Sequence, residues 1–274
     1  MAKKILLYFF FCKSIFCYAA KVDTVSIYSQ VMQQTFKAVV IQPETLQDDT
    51  TKLPVVYLLH GYSGNFSNWI TRVPALKNYV DHFQIIIVCP DGGYSGWYIN
   101  SSNDIHAQYE TYISTEVPSY IEKHYRVISD RKARAITGLS MGGHGGLYLG
   151  LRHADYFGAC GSISGSVDLR SWANRFAIAK RIGDTTDSDF SWKKYSVLQM
   201  IDTPFQHSSA IIIDCGTEDI FINVNRQLHQ KLLALKIPHV YIERPGRHNW
   251  DYWRNAIEYQ LLFFRKYFNQ LKKI

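Results

Sequence analysis

The 274-residue sequence has few cysteines and no clustered charge. It contains five cysteines, none of them spaced like the ligands of a metal site, so we expect no zinc or iron–sulfur centre. The net charge of +7 arises without any run of lysines or arginines, which argues against nucleic-acid binding. Internal repeats and low-complexity stretches are absent too. The sequence also has no phosphate-cradling loop and no G-x-G-x-x-G fingerprint at a strand end, so we expect no cofactor.

The N-terminal segment has the pattern of a secretory signal. A positively charged start, a short apolar run and two small residues follow one another within residues 1–20. The apolar run is too short to span a bilayer comfortably. We therefore expect cleavage near Ala19 or Ala20, a secreted or periplasmic protein and no stable membrane insertion after cleavage. The alternatives are a buried N-terminal helix and a lipid anchor at Cys17.

Removal of this segment would take away three lysines and no acids, lowering the net charge from +7 to +4. It would leave three cysteines, Cys89, Cys160 and Cys215, each in or at the end of an apolar run. Cysteines in such runs are typically buried, so we expect free thiols. One disulfide among them is the alternative.

Short β-branched apolar runs alternate with helical patterns through most of the chain. The predicted strands are Val25–Ser29, Thr35–Gln42, Pro54–His60, Gln84–Cys89, Ala133–Leu139, Gly158–Ser164, Ala210–Cys215 and His239–Glu243. The predicted helices are Ala75–Phe83, Glu110–Tyr125, Met141–His153, Asn223–Leu235 and Trp250–Tyr267. This alternation predicts an α/β fold with a mostly parallel central sheet and helices on both faces. We expect residues 21–274 to form a single catalytic domain, with its site beyond the carboxyl ends of the strands.

One segment breaks the alternation. Residues 166–208 are polar and carry Trp172 and Trp192. We interpret this segment as an excursion over the site, with a plain surface insertion as the alternative.

A nucleophile motif follows the predicted strand that ends at Leu139. The sequence Gly138-Leu139-Ser140-Met141-Gly142 is G-x-S-x-G at a strand-to-helix junction. In such a motif a sharp turn exposes the serine hydroxyl, and the flanking glycines let strand and helix approach closely. We predict Ser140 as a nucleophile; a glycine-rich packing turn is the alternative.

A serine nucleophile needs a base and an acid that orients it. His248 follows the last predicted strand, where a loop could bring it to Ser140, so we predict it as the base. His144, one helical turn after the serine, is the alternative. Asp219 follows the preceding strand and is the predicted acid.

Two other carboxylates compete with Asp219. Glu218 is its chain neighbour, and Asp214 lies within the strand itself. The oxyanion of the reaction also needs donors. We predict the backbone N–H of Met141, next after the serine, and that of Tyr62, in the Gly-rich turn after Pro54–His60.

Five motifs together resemble the esterase D-like branch of the α/β-hydrolases. They are Tyr57-Leu58-Leu59-His60-Gly61-Tyr62-Ser63-Gly64-Asn65, Pro90-Asp91-Gly92-Gly93, Gly138-Leu139-Ser140-Met141-Gly142-Gly143-His144-Gly145, Cys215-Gly216-Thr217-Glu218-Asp219 and His248-Asn249-Trp250-Asp251-Tyr252-Trp253. The branch includes S-formylglutathione hydrolases, tributyrin-type and feruloyl esterases, acetyl-xylan esterases and mycolyltransferases. The resemblance implies the α/β-hydrolase fold with the same triad and oxyanion donors, and a loop with Ser95, Trp97 and Tyr98 lining the site.

The sequence departs from the S-formylglutathione hydrolases at the first oxyanion glycine. Those enzymes carry a cysteine-containing stretch there, whereas this chain has Tyr62-Ser63-Gly64. The resemblance is therefore to secreted tributyrin-type and feruloyl-type carboxylesterases. It implies hydrolysis of short-chain or aromatic acyl esters, either small molecules or groups on polysaccharides.

Tryptophans near the motifs support a substrate with rings. Trp97, Tyr98 and Trp250 are the predicted substrate-binding residues, and Trp69 also lies near one of the motifs. A core role for these aromatics is the alternative. For the whole protein, the competing hypotheses are an acyltransferase on the same fold, a thioesterase like the S-formylglutathione hydrolases and a non-catalytic binding protein.

Overall fold

The computed structural model describes residues 20–44, 50–183, 189–202 and 209–270, with the side chains of 189–191 left aside. The predicted signal peptide, apart from Ala20, lies outside them. The eight strands are β1 (Lys21–Ser29), β2 (Gln34–Gln42), β3 (Val55–Leu59), β4 (Ile86–Pro90), β5 (Arg134–Gly138), β6 (Ala159–Ile163), β7 (Ala210–Gly216) and β8 (Val240–Arg244). Every predicted strand is confirmed, and the first begins earlier than predicted, at Lys21.

All eight strands form one sheet in the order β1-β2-β4-β3-β5-β6-β7-β8. The pairs from β4 through β3, β5, β6 and β7 to β8 are parallel. The β1–β2 hairpin joins the edge of this parallel part, and β2 runs antiparallel to β4. The central strands are buried along their whole length, which explains why they appear in the sequence as continuous apolar runs.

The helices occupy the connections between the strands. In chain order they are α1 (Asn68–Arg72), α2 (Leu76–Phe83), α3 (Tyr109–Thr111), α4 (Val117–His124), α5 (Met141–Arg152), α6 (Ile178–Ile182), α7 (Asp189–Tyr195), α8 (Val197–Met200), α9 (Ile222–Ala234) and α10 (Trp250–Phe268). In the part of the chain that is described, none of them is both long and apolar enough to cross a membrane.

The predicted helix over Glu110–Tyr125 is present with one irregularity. A π-helical turn at Tyr112–Glu116 separates α3 from α4. Pro118 is the physical reason, because proline has no N–H to donate and its ring crowds the carbonyl four residues earlier. The wider turn absorbs this mismatch.

Side chains on alternate positions of the central strands pack into two separate cores. Val55, Tyr57 and Leu59 of β3 belong to a core that includes residues of α4, α5 and α9. Val56 and Leu58 belong to the opposite core, with residues of α2 and α10. Helices therefore cover both faces of the sheet, as predicted from the alternation of strands and helices.

The three cysteines of the described residues, Cys89, Cys160 and Cys215, are buried and free, which confirms the prediction of free thiols. The parallel arrangement also fixes where a site can form. The loops after β3, β5, β7 and β8 all leave the sheet at the same edge. These loops carry the residues predicted from the sequence to act in chemistry.

Candidate active site

Ser140 lies on a tight turn between β5 and α5. Its backbone has φ 56° and ψ −115°, a conformation that non-glycine residues seldom adopt. The turn fits because Gly138 and Gly142 have no side chain: a Cβ on either would come within 2.5 Å of the backbone oxygen of Leu59. The backbone N–H of Ser140 donates to the carbonyl of Ile163 at 2.9 Å, which ties the turn to β6.

His248 and Asp219 form a hydrogen-bonded chain with Ser140. The Nε2 atom of His248 lies 2.9 Å from Oγ of Ser140, and its Nδ1 atom lies 2.9 and 3.0 Å from the two carboxylate oxygens of Asp219. Because an ionised carboxylate only accepts, Nδ1 carries the proton and Nε2 is free to accept one from Ser140. The structure brings the three predicted side chains together, and their catalytic roles stay a prediction.

The alternative base, His144, is directed away from Ser140. Its ring is fully buried and stacks on Tyr148, and Nε2 lies 2.7 Å from the carbonyl oxygen of Tyr195. Burial lowers the pKa of His144 to about 4, so its ring is neutral and donates from Nε2 to Tyr195. This histidine is a packing residue of α5.

The two competing carboxylates have other partners. Glu218 is half exposed and pairs with Arg247 at 2.9 Å. Asp214 is fully buried, pairs with Arg244 at 2.8 Å and accepts a hydrogen bond from the hydroxyl of Tyr252. Of the three carboxylates considered from the sequence, Asp219 is therefore the one that contacts the histidine.

The predicted oxyanion donors are two backbone N–H groups beside the serine. Tyr62 follows Gly61, whose hypothetical Cβ would lie 3.5 Å from Cβ of Ser140, so this loop touches the turn. Met141 begins α5, and the first N–H groups of a helix have no partner within it. Across the described residues, neither N–H donates a hydrogen bond to the protein. Both are available to a substrate oxygen.

His60 holds the peptide group that carries the N–H of Tyr62. The Gly92 N–H donates to Nε2 of His60 at 2.7 Å, so the ring proton is on Nδ1, which donates to the Gly61 carbonyl at 2.8 Å. The C=O and N–H of a trans peptide point in opposite directions. Fixing the carbonyl of Gly61 therefore fixes the direction of the Tyr62 N–H.

The buried position of Tyr98 contradicts one prediction from the sequence. It was predicted to bind substrate, but its side chain is fully buried and its hydroxyl donates to the carbonyl of His60 at 2.9 Å. The ring also fills the space beside Gly145, where a Cβ would lie 2.5 Å from it. Tyr98 therefore supports the oxyanion loop from below and has no free surface for a ligand.

A pocket of about 390 Å³ opens above Ser140 and His248. Its described lining is mostly aromatic, aliphatic or small, with one arginine and no carboxylate: Gly61, Tyr62, Ser63, Gly64, Asn68, Arg72, Trp97, Leu139, Ser140, Phe176, Ile220, Phe221, His248, Trp250 and Trp253. Trp97 and Trp250, two of the predicted substrate-binding residues, are among them. Trp69 is a core residue, 1% exposed, and donates from its indole nitrogen to the Leu59 carbonyl at 2.9 Å.

Two chains of aromatic contacts flank the pocket and meet at His248. In the first wall, ring centroids are 5.0 to 5.8 Å apart: Tyr62, Phe176 and Phe221 line the pocket, and Trp172 packs behind them against Phe176 and Phe221. In the second wall, centroids are 4.9 to 5.4 Å apart: Trp250 and Trp253 line the pocket, and the core residue Trp69 packs behind Trp250. Rings on both sides restrict how the imidazole of His248 can turn.

The polar segment over residues 166–208 contributes to the first wall. Trp172 and Phe176 both belong to it, and the carbonyl of Phe176 accepts the indole N–H of Trp97 at 2.9 Å. Phe176 thus brings the described part of the segment to the pocket, which supports the interpretation as an excursion over the site.

Several pocket residues were not predicted from the sequence. Phe176, Ile220 and Phe221 come from loops with no strand or helix pattern, and only their aromatic or apolar character was a signal. Arg72 lies on α1, a helix of five residues, too short to give a periodic pattern. His60 was visible as the last residue of the predicted strand Pro54–His60, but one of its two ring contacts is to Gly92, far along the chain.

Comparison with known proteins shows the family of this chain. The family model Esterase (described as Putative esterase) matches residues 29–264. The chain belongs to the Esterase family. It is 24% identical over 257 residues to an acetyl esterase of Caldicellulosiruptor saccharolyticus, a match that covers 85% of this chain and 94% of that protein.

Solved structures give the same result for this esterase. A ferulic acid esterase superposes with a TM-score of 0.79 at 30% identity, covering 92% of this chain and 99% of its own. An S-formylglutathione hydrolase from Agrobacterium tumefaciens superposes with a TM-score of 0.79 at 19% identity, covering 92% of this chain and 96% of its own. The second likeness shows the shared fold. The chain is thus an α/β-hydrolase and a carboxylic ester hydrolase of the serine type.

Proposed function

We propose that this esterase uses Ser140, His248 and Asp219 to cleave acetyl or aromatic acyl esters, including such groups on polysaccharides. The observation that carries the proposal is the hydrogen-bonded chain from Ser140 through His248 to Asp219 at the floor of an aromatic pocket. The chain supplies a nucleophile with its base, and the pocket supplies ring surfaces for the substrate.

Acylation begins when Ser140 Oγ attacks the ester carbonyl and Nε2 of His248 takes its proton. The carbonyl oxygen becomes an oxyanion, which accepts hydrogen bonds from the N–H groups of Tyr62 and Met141. Asp219 stabilises the imidazolium formed in this step. The intermediate then collapses: the bond to the alcohol breaks, His248 returns the proton to the departing alcohol oxygen, and the acyl group stays on Ser140.

Deacylation repeats the same steps with water in place of the serine. His248 removes a proton from the water as it attacks the acyl carbon, and the same two N–H groups hold the new oxyanion. When the bond to Ser140 breaks, His248 gives the proton back to Oγ. The products are one carboxylic acid and one alcohol, and the enzyme regains its first state.

The acyl class is proposed from the pocket and from the named relatives. Aromatic rings line the space on both sides of His248, which favours flat acyl groups and sugar rings. One relative is named an acetyl esterase and a solved neighbour a ferulic acid esterase. Both names fit a pocket that admits a small acyl group or a substituted ring.

A direct test compares p-nitrophenyl acetate, butyrate and octanoate with methyl ferulate as substrates. We expect hydrolysis of the acetate or the ferulate, and a loss of about 10⁴-fold or more in Ser140→Ala. Ser119→Ala, a serine on the exposed face of α4, is the matched control and should keep full activity. Equal activity of Ser140→Ala and the wild type, or a folded wild type that hydrolyses none of the esters, would overturn the proposal.

We propose in addition that the protein is exported. The support is the charged, apolar and small-residue order of residues 1–20. Cell fractionation followed by intact-mass analysis tests this, and the expected result is an extracytoplasmic protein that has lost Lys3 and Lys4. An exported protein that retains both lysines, or a protein confined to the cytosol, would contradict it.

A further inference from the structure

One cation lines the pocket beside Ser140. Arg72 ends α1, and its backbone is fixed on two sides: the N–H of Val73 bonds to the carbonyl of Trp69, and the Arg72 carbonyl accepts from Nε of Arg254 at 3.0 Å. Trp69 anchors the same helix in the core through its bond to Leu59. These contacts fix the position of the Arg72 backbone at the wall of the pocket.

The guanidinium of Arg72 makes no hydrogen bond or ion pair with any residue in the described ranges. Most other arginines there are paired with carboxylates at 2.5 to 3.3 Å: Arg134, Arg152, Arg170, Arg181, Arg226, Arg244, Arg247 and Arg254. Arg72 is exposed and lines the pocket. Its five N–H donors are therefore available to a ligand.

The carboxylates near the pocket do not compete for Arg72. Asp219 is fully buried behind His248, and Glu218 pairs with Arg247 outside the lining. Asp251 pairs with Arg254 at 3.3 Å. The pocket thus has a positive wall with nothing in the described lining to neutralise it.

The surroundings of Arg72 show which kind of anion fits. Asn68 lies one helical turn earlier on α1, on the same face, and lines the same pocket. The ring of Trp250 also lines this side and packs against Trp69 at 5.4 Å. A guanidinium and an amide beside an indole ring suit a carboxylate attached to a ring, because the planar fork of arginine matches a carboxylate and the indole packs on the ring.

We propose that Arg72 forms a subsite for a carboxylate on the substrate, so that the enzyme prefers esters bearing a negative charge, such as esters of uronic-acid sugars or of carboxylated acyl groups. The proposal rests on the proposed function, because it names the class of ester that the same pocket takes. The carboxylate is attached to the part of the substrate that contacts α1 and Trp250, which is either the alcohol or the acyl group.

Two matched pairs of substrates test separately whether the carboxylate belongs to the alcohol or to the acyl group. For the alcohol side, 4-acetoxybenzoate is compared with the neutral 4-acetoxybenzamide. For the acyl side, mono-p-nitrophenyl glutarate is compared with p-nitrophenyl pentanoate. The measured quantity is the ratio of kcat/KM for the charged to the neutral member, in the wild type, Arg72→Gln and Arg72→Lys. Arg226→Gln is the control, because it removes the same charge from an arginine paired with Glu243, away from the pocket.

In one of the two pairs we expect the ratio to fall about fivefold to tenfold in Arg72→Gln. Arg72→Lys should keep part of the preference, because it keeps the charge and loses the fork. Arg226→Gln should keep the wild-type ratio. The preference of the wild type should also shrink as salt rises from 20 to 500 mM, because screening weakens a partly exposed pair.

Unchanged ratios in Arg72→Gln for both pairs, with the variant folded by thermal melting, would overturn the subsite. An equal fall in Arg226→Gln would also overturn it, because the effect would then come from net charge alone. Failure of the proposed function is distinct: it would appear as no Ser140-dependent hydrolysis of the neutral esters, before any ratio is formed.

Discussion

The backbone N–H of Gly92 donates to Nε2 of His60 at 2.7 Å, which joins the loop after β4 to the loop after β3. An N–H group can only donate, so this bond selects the form of the ring that carries its proton on Nδ1. That proton holds the carbonyl of Gly61. Together with the N–H of Gly64, which donates to the same carbonyl at 3.0 Å, a residue outside the triad thereby orients the Tyr62 N–H.

Replacement of His60 should lower the rate of the chemical step. In His60→Leu the Gly61 carbonyl loses its side-chain donor and keeps only the backbone N–H of Gly64, at 3.0 Å. We therefore expect kcat to fall about tenfold to a hundredfold with little change in KM, somewhat less than the loss of a whole oxyanion donor. His60→Asn places an amide N–H near the position of Nδ1 and should recover part of the loss. Steady-state kinetics on p-nitrophenyl acetate measure both. Equal losses in the two variants would show that His60 acts only through packing.

The pair of acidic residues after β7 offers a matched test of the acid. Asp219→Asn removes the carboxylate that fixes the tautomer of His248, and we expect kcat to fall about 10⁴-fold. Glu218→Gln changes the neighbouring acid, which pairs with Arg247, and should leave kcat within about twofold of the wild type. Circular dichroism confirms that both variants fold. A larger loss in Glu218→Gln than in Asp219→Asn would reverse the assignment.

The strained backbone conformation of Ser140 should lower the free energy of unfolding. Its φ of 56° with ψ of −115° suits glycine, and strain of this kind costs about 1–3 kcal/mol in other residues. Ser140→Gly should therefore have a free energy of unfolding about 1 kcal/mol higher than Ser140→Ala, after the entropy of glycine in the unfolded chain is subtracted. Urea denaturation of the two inactive variants measures the difference. A less stable Ser140→Gly would mean that the turn is not strained.

Glu110 should make stability depend on acid pH. Burial alone would raise its pKa, but hydrogen bonds from His153, Arg152 and Tyr148 outweigh burial and lower the pKa to about 2. An unfolded glutamate titrates near 4.3, so the folded state gains stability above that pH and loses it as the pH falls towards 2. We expect a contribution of about 2–3 kcal/mol at pH 7.

Glu110→Gln tests this by urea denaturation at pH 7, 5, 3 and 2. The variant should be less stable than the wild type at pH 7, and the difference should shrink between pH 5 and pH 2. Glu258→Gln, which changes an exposed acid on α10, is the control. A difference between Glu110→Gln and the wild type that stays constant over this range would contradict the prediction.

The sequence predicts those parts of the fold that depend on local pattern. Runs such as Val55–Leu59 are apolar at every position because both faces of the sheet are covered, and their short length and β-branched residues distinguish them from a buried helix. Ser140 was found because the turn geometry demands glycines at fixed offsets. His248 and Asp219 were found because each directly follows a strand, and parallel strands end at one edge.

The local sequence pattern does not predict contacts between loops that are distant in the chain. Tyr98 has the composition of a ligand-binding residue, and only the tertiary structure shows that it is buried beneath His60. Phe176 and Arg72 reach the pocket from an irregular segment and a five-residue helix, neither of which has a period to detect. The π-helical turn before Pro118 likewise depends on how one proline is accommodated within a helix.

The three buried thiols give the protein internal reporters of its own unfolding. Cys89 lies in β4, Cys160 in β6 and Cys215 in β7, so they sample both halves of the parallel sheet. Burial raises the pKa of each, and only the thiolate reacts readily with alkylating reagents. Alkylation at these positions, read peptide by peptide, therefore follows the opening of each strand. Three labelling rates in one experiment would show whether the sheet opens as a unit or separates first at one side.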